Sequence, residues 1–377
     1  MKKIFNVVGA RPNFMKIALL MEELQKYPEF QSVLVHTGQH YDDKMSKIFF
    51  EDLDIPKPHV DLEIGSGSHA EQTAGIMAAF EKLCLTEKPD LVLVVGDVNS
   101  TLACSVVASK LCIPIAHVEA GLRSRDRTMP EEINRIVTDA FSDLLFTTSK
   151  DADENLIAEG IPSDKIFFVS NAMIDTLLEH KERAAKSDIA QKLGLSNDGT
   201  TSHYALLTLH RPSNVDEPET LTAIIDAIDE IQERIPIVFP VHPRTDKQLQ
   251  LFGLDRRVQQ MRNLILLKPQ GYLDFLSLLS TAQMVLSDSG GLQEESTVLG
   301  VPCLTLRENT ERPVTVWEGT NTIVGSDKDR IIKTAFGILE KGGKTGRLPE
   351  YWDGKAVERI VKILHHLFFH SVPDSIV

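Results

Sequence analysis

Several side chains stand where they could move a proton. Asp97 directly follows the apolar run Leu-Val-Leu-Val-Val-Gly, and Glu119 follows Ile-Ala-His-Val, so both would project from strand ends into one crevice. A carboxylate crowded by others in a partly dry cleft has its pKa raised toward the range of a working acid or base. His210 ends another apolar run, and its imidazole is suited to proton transfer near neutral pH. Glu131 opens a helical pattern, with Asn134 and Arg135 one turn on. That position equally suits a plain N-terminal carboxylate favoured by the helix dipole and paired with Arg135 on the surface. His117 and His242, also at strand ends, read as structural or supporting.

A second group of residues could hold phosphate. Asp288-Ser289-Gly290-Gly291-Leu292 follows a buried-looking strand and precedes the helical segment Gln293-Glu294-Glu295. Two glycines let a ligand approach the backbone, and the helix start offers free N–H groups and a positive dipole end. Arg11 and Lys16 bracket the first strand-to-helix connection, and Arg312 sits in Glu311-Arg312-Pro313. Guanidinium forks and helix N-termini are what a pyrophosphate needs. Two other phosphate signatures fail. No GxGxxG follows the first strand, and Gly343-Lys344-Thr345 has Ile338 where a P-loop needs its leading glycine.

The elements that must position these groups alternate along the chain. Apolar, β-branched runs at Ile4–Val8, Ser32–Thr37, Leu91–Val95, Ile115–Val118, Leu144–Thr147 and Ile166–Val169 suit strands of a parallel sheet covered on both faces. Helical patterns lie between them. In Phe14–Tyr27, Ile17, Leu20, Met21 and Leu24 recur at helical spacing, and Asn13 would cap that helix. A polar stretch, Ser187–Ser202, breaks the alternation. It resumes with strands at Tyr204–Leu209, Ile237–Val241, Leu264–Leu267, Met284–Ser287, Pro302–Leu306 and Thr322–Val324, and a helix near Ala356–Phe369 closes it. The expected fold class is α/β, two doubly wound halves with ligands beyond the carboxyl ends of the strands.

Bulk properties agree. A chain of 377 residues, 42% hydrophobic and 25% charged, is globular and long enough for two cores. A net charge of −14 argues against nucleic-acid binding and requires that an anionic ligand be met by local cations. Cys84, Cys104, Cys112 and Cys303 form no CxxC pair and read as small buried hydrophobes in a reducing compartment, with no metal site. The apolar run after Lys2-Lys3 is too short for a signal peptide, and no stretch is long enough to span a membrane. The cytoplasm is the expected location.

Taken together, GARPNFMK, VVGDVNST, HVEAGLRS, MPEEINR, TLHRP, DSGGLQEE and ENTERP, in this order and spacing, closely resemble the non-hydrolysing UDP-N-acetylglucosamine 2-epimerases. The likeness runs from the first strand to about Gly325. It implies the GT-B arrangement, two Rossmann-like domains facing across a cleft: residues 1–170, with the last helix (356–377) packing back on them, and residues 171–355 as the UDP-binding domain. It also implies a homodimer, a UDP-sugar substrate, and no metal or nicotinamide cofactor.

The reaction so implied interconverts UDP-GlcNAc and UDP-ManNAc by anti elimination of UDP to a bound 2-acetamidoglucal, followed by re-addition. By motif the resemblance assigns catalysis to Asp97, Glu119, Glu131 and His210, leaving open which carboxylate takes the proton. It assigns the diphosphate to Arg11, Lys16, Ser289, Gly290 and Gly291 with Arg312 nearby, the ribose to Glu295, and the uracil pocket to Gln270 and Phe275. The chain departs from the pattern in its first motif, Pro12-Asn13-Phe14-Met15-Lys16, where many members have Pro-Glu at the second and third positions. At Tyr41-Asp42-Asp43 it lacks the glutamine-bearing segment of allosterically activated members. Gln39-His40-Tyr41 and Gly65–Gln72 also resemble relatives acting on UDP-2,3-diacetamido-uronic acids, whereas Glu311-Arg312-Pro313 is typical of the GlcNAc enzymes. A GT-B glycosyltransferase and a catalytically silent UDP-sugar sensor share the fold. Neither requires the Asp97, Glu119 and Glu131 set.

Overall fold

The computed structural model describes residues 1–38, 57–197, 200–201 and 203–370. The Gln39–Asp43 segment lies outside the described residues. The chain divides into two compact units, Met1–Leu178 with Glu350–Val377, and Glu179–Pro349.

The first unit is a seven-stranded sheet in the order β3-β2-β1-β4-β5-β6-β7. Its strands are β1 (Lys2–Val8), β2 (Phe30–His36), β3 (Val60–Asp61), β4 (Leu91–Val95), β5 (Ile115–Ala120), β6 (Leu144–Thr147) and β7 (Ile166–Phe168). Every neighbouring pair is parallel. Helices α1 (Arg11–Gln25), α2 (His69–Glu87), α3 (Asn99–Lys110), α4 (Pro130–Phe141), α5 (Lys150–Ala158) and α6 (Ala172–Ala184) connect them, α6 running across the unit boundary. All five residues of β4 are buried, because helices cover both faces.

The second unit opens with a short helix, α7 (Ile189–Lys192), and a hairpin, β8 (Ser196–Asn197) and β9 (Thr200–Thr201), inside the polar stretch that interrupts the pattern. Its sheet runs β12-β11-β10-β13-β14-β15, again parallel throughout. These strands are β10 (Ala205–Thr208), β11 (Ile237–Pro240), β12 (Leu264–Leu267), β13 (Met284–Ser287), β14 (Cys303–Thr305) and β15 (Asn321–Ile323). The helices are α8 (Pro212–Val215), α9 (Pro218–Gln232), α10 (Pro243–Leu251), α11 (Asp255–Gln260), α12 (Tyr272–Thr281), α13 (Gly290–Leu299), α14 (Pro313–Trp317) and α15 (Lys328–Lys341).

The last helix, α16 (Ala356–Phe369), belongs to the first unit. It packs on α1, and its His365 ring meets Tyr27 and Phe30. Asp175 of α6 accepts the N–H groups of Ala356 and Val357 at 3.2 and 2.8 Å, so a carboxylate from elsewhere in the fold satisfies the start of this helix.

The predicted strands form within one or two residues of their expected bounds, and β4, β6, β12 and β13 match them. Two local expectations fail. Asn13 is not the cap of α1. It lies inside the first turn, where its Oδ1 accepts from Ala10 N at 2.9 Å and its Nδ2 donates to the Val95 carbonyl at 3.0 Å, tying the helix to the end of β4. Cys112 is exposed, unlike the other three cysteines, because it turns out of α3 with a left-handed φ of 55°. Among the described residues no helix is long and apolar enough to cross a membrane.

Candidate active site

In each sheet the strand order reverses once, between β1 and β4 and between β10 and β13. Connections leaving the carboxyl ends diverge there, opening a crevice where ligands bind in such folds. Asp97 and Glu119 lie at the first of these places and His210 and Ser289–Gly291 at the second, whereas Gln270 and Phe275 follow β12 at the edge of its sheet.

In the first unit the centre is Gly96, just past β4. Its φ of +67° is one that glycine adopts without steric cost. A Cβ on Gly96 would lie 3.3 Å from Asn13 Nδ2, 3.4 Å from Glu119 Oε2 and 3.5 Å from Lys16 Nζ. Polar groups from α1 and β5 therefore converge on this turn. Asp97 follows it, its side chain about one-third exposed, and accepts from Arg135 Nη1 at 2.5 Å. Asn134 Nδ2 donates to the Asp97 carbonyl at 2.8 Å.

Glu119 lies inside β5 and not after it, at a bulge between Val118 and Ala120, with φ of +75°. A non-glycine residue there stores roughly 1–3 kcal/mol of strain, a state that persists at functional sites where the surroundings impose it. The side chain is buried and bonded to the buried ammonium of Lys16. Lys16, which the resemblance assigns to a diphosphate, is thus engaged by Glu119. Glu131 is half-buried in the first turn of α4, where the helix dipole favours its charge.

Arg135 is not the surface residue that its spacing from Glu131 suggests. Arg135 is fully buried, and besides Asp97 it bonds Glu132 through Nη2 at 2.6 Å and Nε at 3.1 Å. Arg11 opens α1, but its side chain lies outside the described residues.

In the second unit, Asp288 follows β13 and is fully buried. Its carboxylate receives the backbone N–H groups of His210 and Arg211 and lies 3.0 Å from His210 Nδ1. Burial alone would raise this carboxyl, but His210 and the two N–H groups outweigh it and hold it below the usual range. Because a carboxylate only accepts, Nδ1 carries the hydrogen and Nε2 is left for proton transfer. His242, whose ring lies 5.7 Å from that of His210, accepts from Arg244 N as the cap of α10.

Ser289 precedes α13, and Gly290 and Gly291 form its first turn, where N–H groups lack partners within the helix. A Cβ on Gly291 would meet nothing within 4 Å, so the backbone is open to close approach. At Gly290 it would lie 2.5 Å from Arg312 Nη1 and 2.6 Å from Glu311 Oε1. The turn therefore sits directly on a buried ion pair. Arg312 bonds Glu311 at 2.7 Å and Glu294 at 2.8 Å, and Glu311 also takes Arg307 at 2.7 Å. Against the burial that would raise it, Arg312, Arg307 and Arg211 hold the Glu311 carboxyl far below the ordinary range.

Glu295, on the second turn of α13, receives the Tyr272 hydroxyl at 3.3 Å. Burial and the neighbouring Glu294 push its carboxyl up to about 7 despite that bond. Phe275 is half-buried against the core on the same helix as Tyr272, and Gln270 turns its amide back onto the Lys268 carbonyl at 2.6 Å.

One expected outcome follows for Glu295. Between its ordinary value of 4.5 and the folded value of about 7, the folded state keeps a proton that the unfolded chain releases. Stability therefore falls as pH rises through that window, by roughly 3 kcal/mol in all. Glu295→Gln keeps an acceptor for Tyr272 and removes the penalty. In urea unfolding the variant should match the parent at pH 5 and exceed it by about 2–3 kcal/mol at pH 8. An equal difference at both pH values would contradict this account.

Sequence reasoning missed the partners Asp288, Glu311, Tyr272 and Asp139. Asp288 reaches His210 across 78 positions, so nothing local marks that pair, whereas Glu311 lies next to Arg312 and four residues after Arg307, a spacing that could have marked it.

Comparison with known proteins bears on what this geometry belongs to. The family model for UDP-N-acetylglucosamine 2-epimerase matches residues 22–365. The UDP-N-acetylglucosamine 2-epimerase of Methanocaldococcus jannaschii is 45% identical over 364 residues, 96% of this chain and 98% of its own. Its crystal structure in complex with UDP-GlcNAc and UDP superposes with a TM-score of 0.89 at 44% identity, covering 97% of this chain and 100% of that one. The UDP-2,3-diacetamido-2,3-dideoxy-D-glucuronate 2-epimerase of Pseudomonas aeruginosa is 43% identical over 373 residues, 97% of this chain and 100% of its own.

The two parallel-sheet units have the GT-B-like fold of such enzymes. The chain belongs to the UDP-N-acetylglucosamine 2-epimerase family and is an isomerase.

Proposed function

We propose that the protein is a non-hydrolysing 2-epimerase that interconverts UDP-GlcNAc and UDP-ManNAc. The observation that carries this reading is the division of labour between the two switch points. One gathers carboxylates around Gly96, and the other presents a glycine-opened helix start with a carboxylate-oriented histidine. The sugar C2 bears no carbonyl to acidify its hydrogen, so a base there works only if the neighbouring C1–O bond breaks with it. As a carboxylate of the Asp97, Glu119 and Glu131 set takes the C2 proton, the C1–O electron pair leaves with UDP and a 2-acetamidoglucal forms. UDP adds back to C1 while a second group delivers a proton to the other face of C2.

The leaving diphosphate gains charge, which the first-turn N–H groups of α13 and the nearby Arg312 stabilise. This matters in a chain with net charge −14, whose overall field opposes an anion. His210 serves as a further proton carrier, its tautomer set by Asp288. Arg11 is assigned to the diphosphate, Glu295 to the ribose, and Gln270 and Phe275 to the base.

A second reading, a UDP-2,3-diacetamido-uronate 2-epimerase, is favoured by the Pseudomonas relative at 43% identity. The Glu311-Arg312-Pro313 segment supports the GlcNAc reading. Proton NMR of UDP-GlcNAc with the protein in heavy water separates them. The expected result is deuterium at C2 and the growth of UDP-ManNAc signals. Neither change with UDP-GlcNAc, but deuterium at C2 and the signals of the C2 epimer with the diacetamido-uronate, would transfer the assignment, and release of free ManNAc would overturn the non-hydrolysing course.

A further inference from the structure

Helix α4 carries Glu131, Arg135 and Asp139 at steps of four residues, which places them along one face. Glu131 is one of the proposed proton-transfer carboxylates, and Arg135 holds Asp97. Asp139 is fully buried and takes no part in the chemistry described. Its Oδ1 lies 2.6 Å from His117 Nδ1, while its Oδ2 accepts Gly121 N at 3.1 Å and an Arg123 Nη1 at 2.8 Å. The other ring nitrogen of His117, Nε2, lies 2.9 Å from the Gly96 carbonyl. The fully buried ring is thus held at both nitrogens, by the Asp139 carboxylate and by the Gly96 carbonyl. Burial would raise the Asp139 carboxyl, but His117 and Arg123 outweigh it and keep it below the usual range.

His117 and Gly121 stand two residues before and two residues after Glu119. Asp139 therefore grips β5 on both sides of the bulge where Glu119 takes its left-handed backbone. Through Nε2, the same ring grips the peptide that leads into Asp97.

We propose that Asp139 and His117 form a positioning dyad that holds the backbones of Asp97 and Glu119 in register for proton transfer at the substrate. The inference rests on the epimerase reading. Neither side chain touches the reacting atoms. Each acts through the main chain of Gly96 and of β5, and α4 indexes the whole cluster because it carries Glu131, the arginine that holds Asp97 and the carboxylate that holds β5.

The test uses the full-length protein with UDP-GlcNAc. Asp139→Asn removes the charge and one acceptor, Asp139→Glu shifts the charge by one methylene, and His117→Gln removes the ring. Misplacement of catalytic groups by about 1 Å costs on the order of 100-fold. Asp139→Asn and His117→Gln should accordingly lower kcat by about 30-fold or more, with KM and calorimetric UDP affinity within about threefold, and should shift the pH profile of kcat. Asp139→Glu should recover part of the loss.

Folded variants with the parent kcat and pH profile would overturn the proposal, as would a loss of UDP binding in step with kcat, which would mark a purely structural role. Parent turnover of UDP-GlcNAc tests the functional reading separately. If the parent turns over and the variants equal it, only the positioning role fails.

Discussion

Asp97→Asn should lose roughly 100- to 10,000-fold in turnover while binding UDP as the parent does, and Glu119→Gln should behave alike. The two substitutions are not equally clean. Asp97 is held by Arg135, and when Asp97 becomes an amide that guanidinium still has Glu132. The local fold therefore survives, and the change isolates the carboxylate's ability to take or give a proton. Glu119 is the partner of buried Lys16, so Glu119→Gln also leaves an ammonium without its counter-charge. Its loss should include a fall in stability that Asp97→Asn does not show. Calorimetry with UDP and deuterium exchange at C2 separate binding from chemistry. Near-normal exchange in either variant would remove that residue from the mechanism.

The second large effect concerns stability. Arg135→Met should cost about 3 kcal/mol, toward the lower end for breaking a buried ion pair. Arg135 and Glu132 are each 1% exposed, so removing the guanidinium strands a carboxylate far from water. The cost is moderated because Glu132 keeps the backbone N–H groups of Ser124 and Arg125 at 3.0 and 2.9 Å. In the parent, burial would raise the Glu132 carboxyl, yet Ser124, Arg135 and Arg125 together hold it below its ordinary value. A lowered carboxyl contributes stability above its unfolded value and loses it as pH falls through the folded one. The difference between parent and Arg135→Met should therefore shrink in acid. Urea unfolding at pH 7 and pH 4 measures it, and a cost below about 1 kcal/mol at pH 7 would show that Arg135 is dispensable to the fold.

Much of the fold was legible because two-sided burial leaves a plain mark. Leu91–Val95 is apolar at every position, which helices on both faces demand, and it forms a strand with the predicted bounds. The site residues were visible for the complementary reason. Charged and glycine-rich segments such as Gly-Asp-Val and Asp-Ser-Gly-Gly come straight after such runs, where core packing has no use for them. What stayed hidden was pairing. Asn13 has the right type to cap a helix, but a carbonyl 82 positions away claimed its amide. Arg135 stands one turn from Glu131, a spacing that suggests a surface position, yet it is buried and bonded to Glu132 and Asp97. Short-range rules describe what a side chain can do locally. They do not see which distant strand end will face it once the sheet has closed.

Helix α16 completes the first unit although the second unit lies between them in the chain. A ribosome delivers Met1–Leu178 early, but Asp175 finds the N–H groups it accepts only after Glu179–Pro349 has also emerged. At 5–20 residues per second that wait is roughly ten to thirty-five seconds, long enough for the later-made unit to finish first. Through that interval the face of α1 that α16 will cover is open to water.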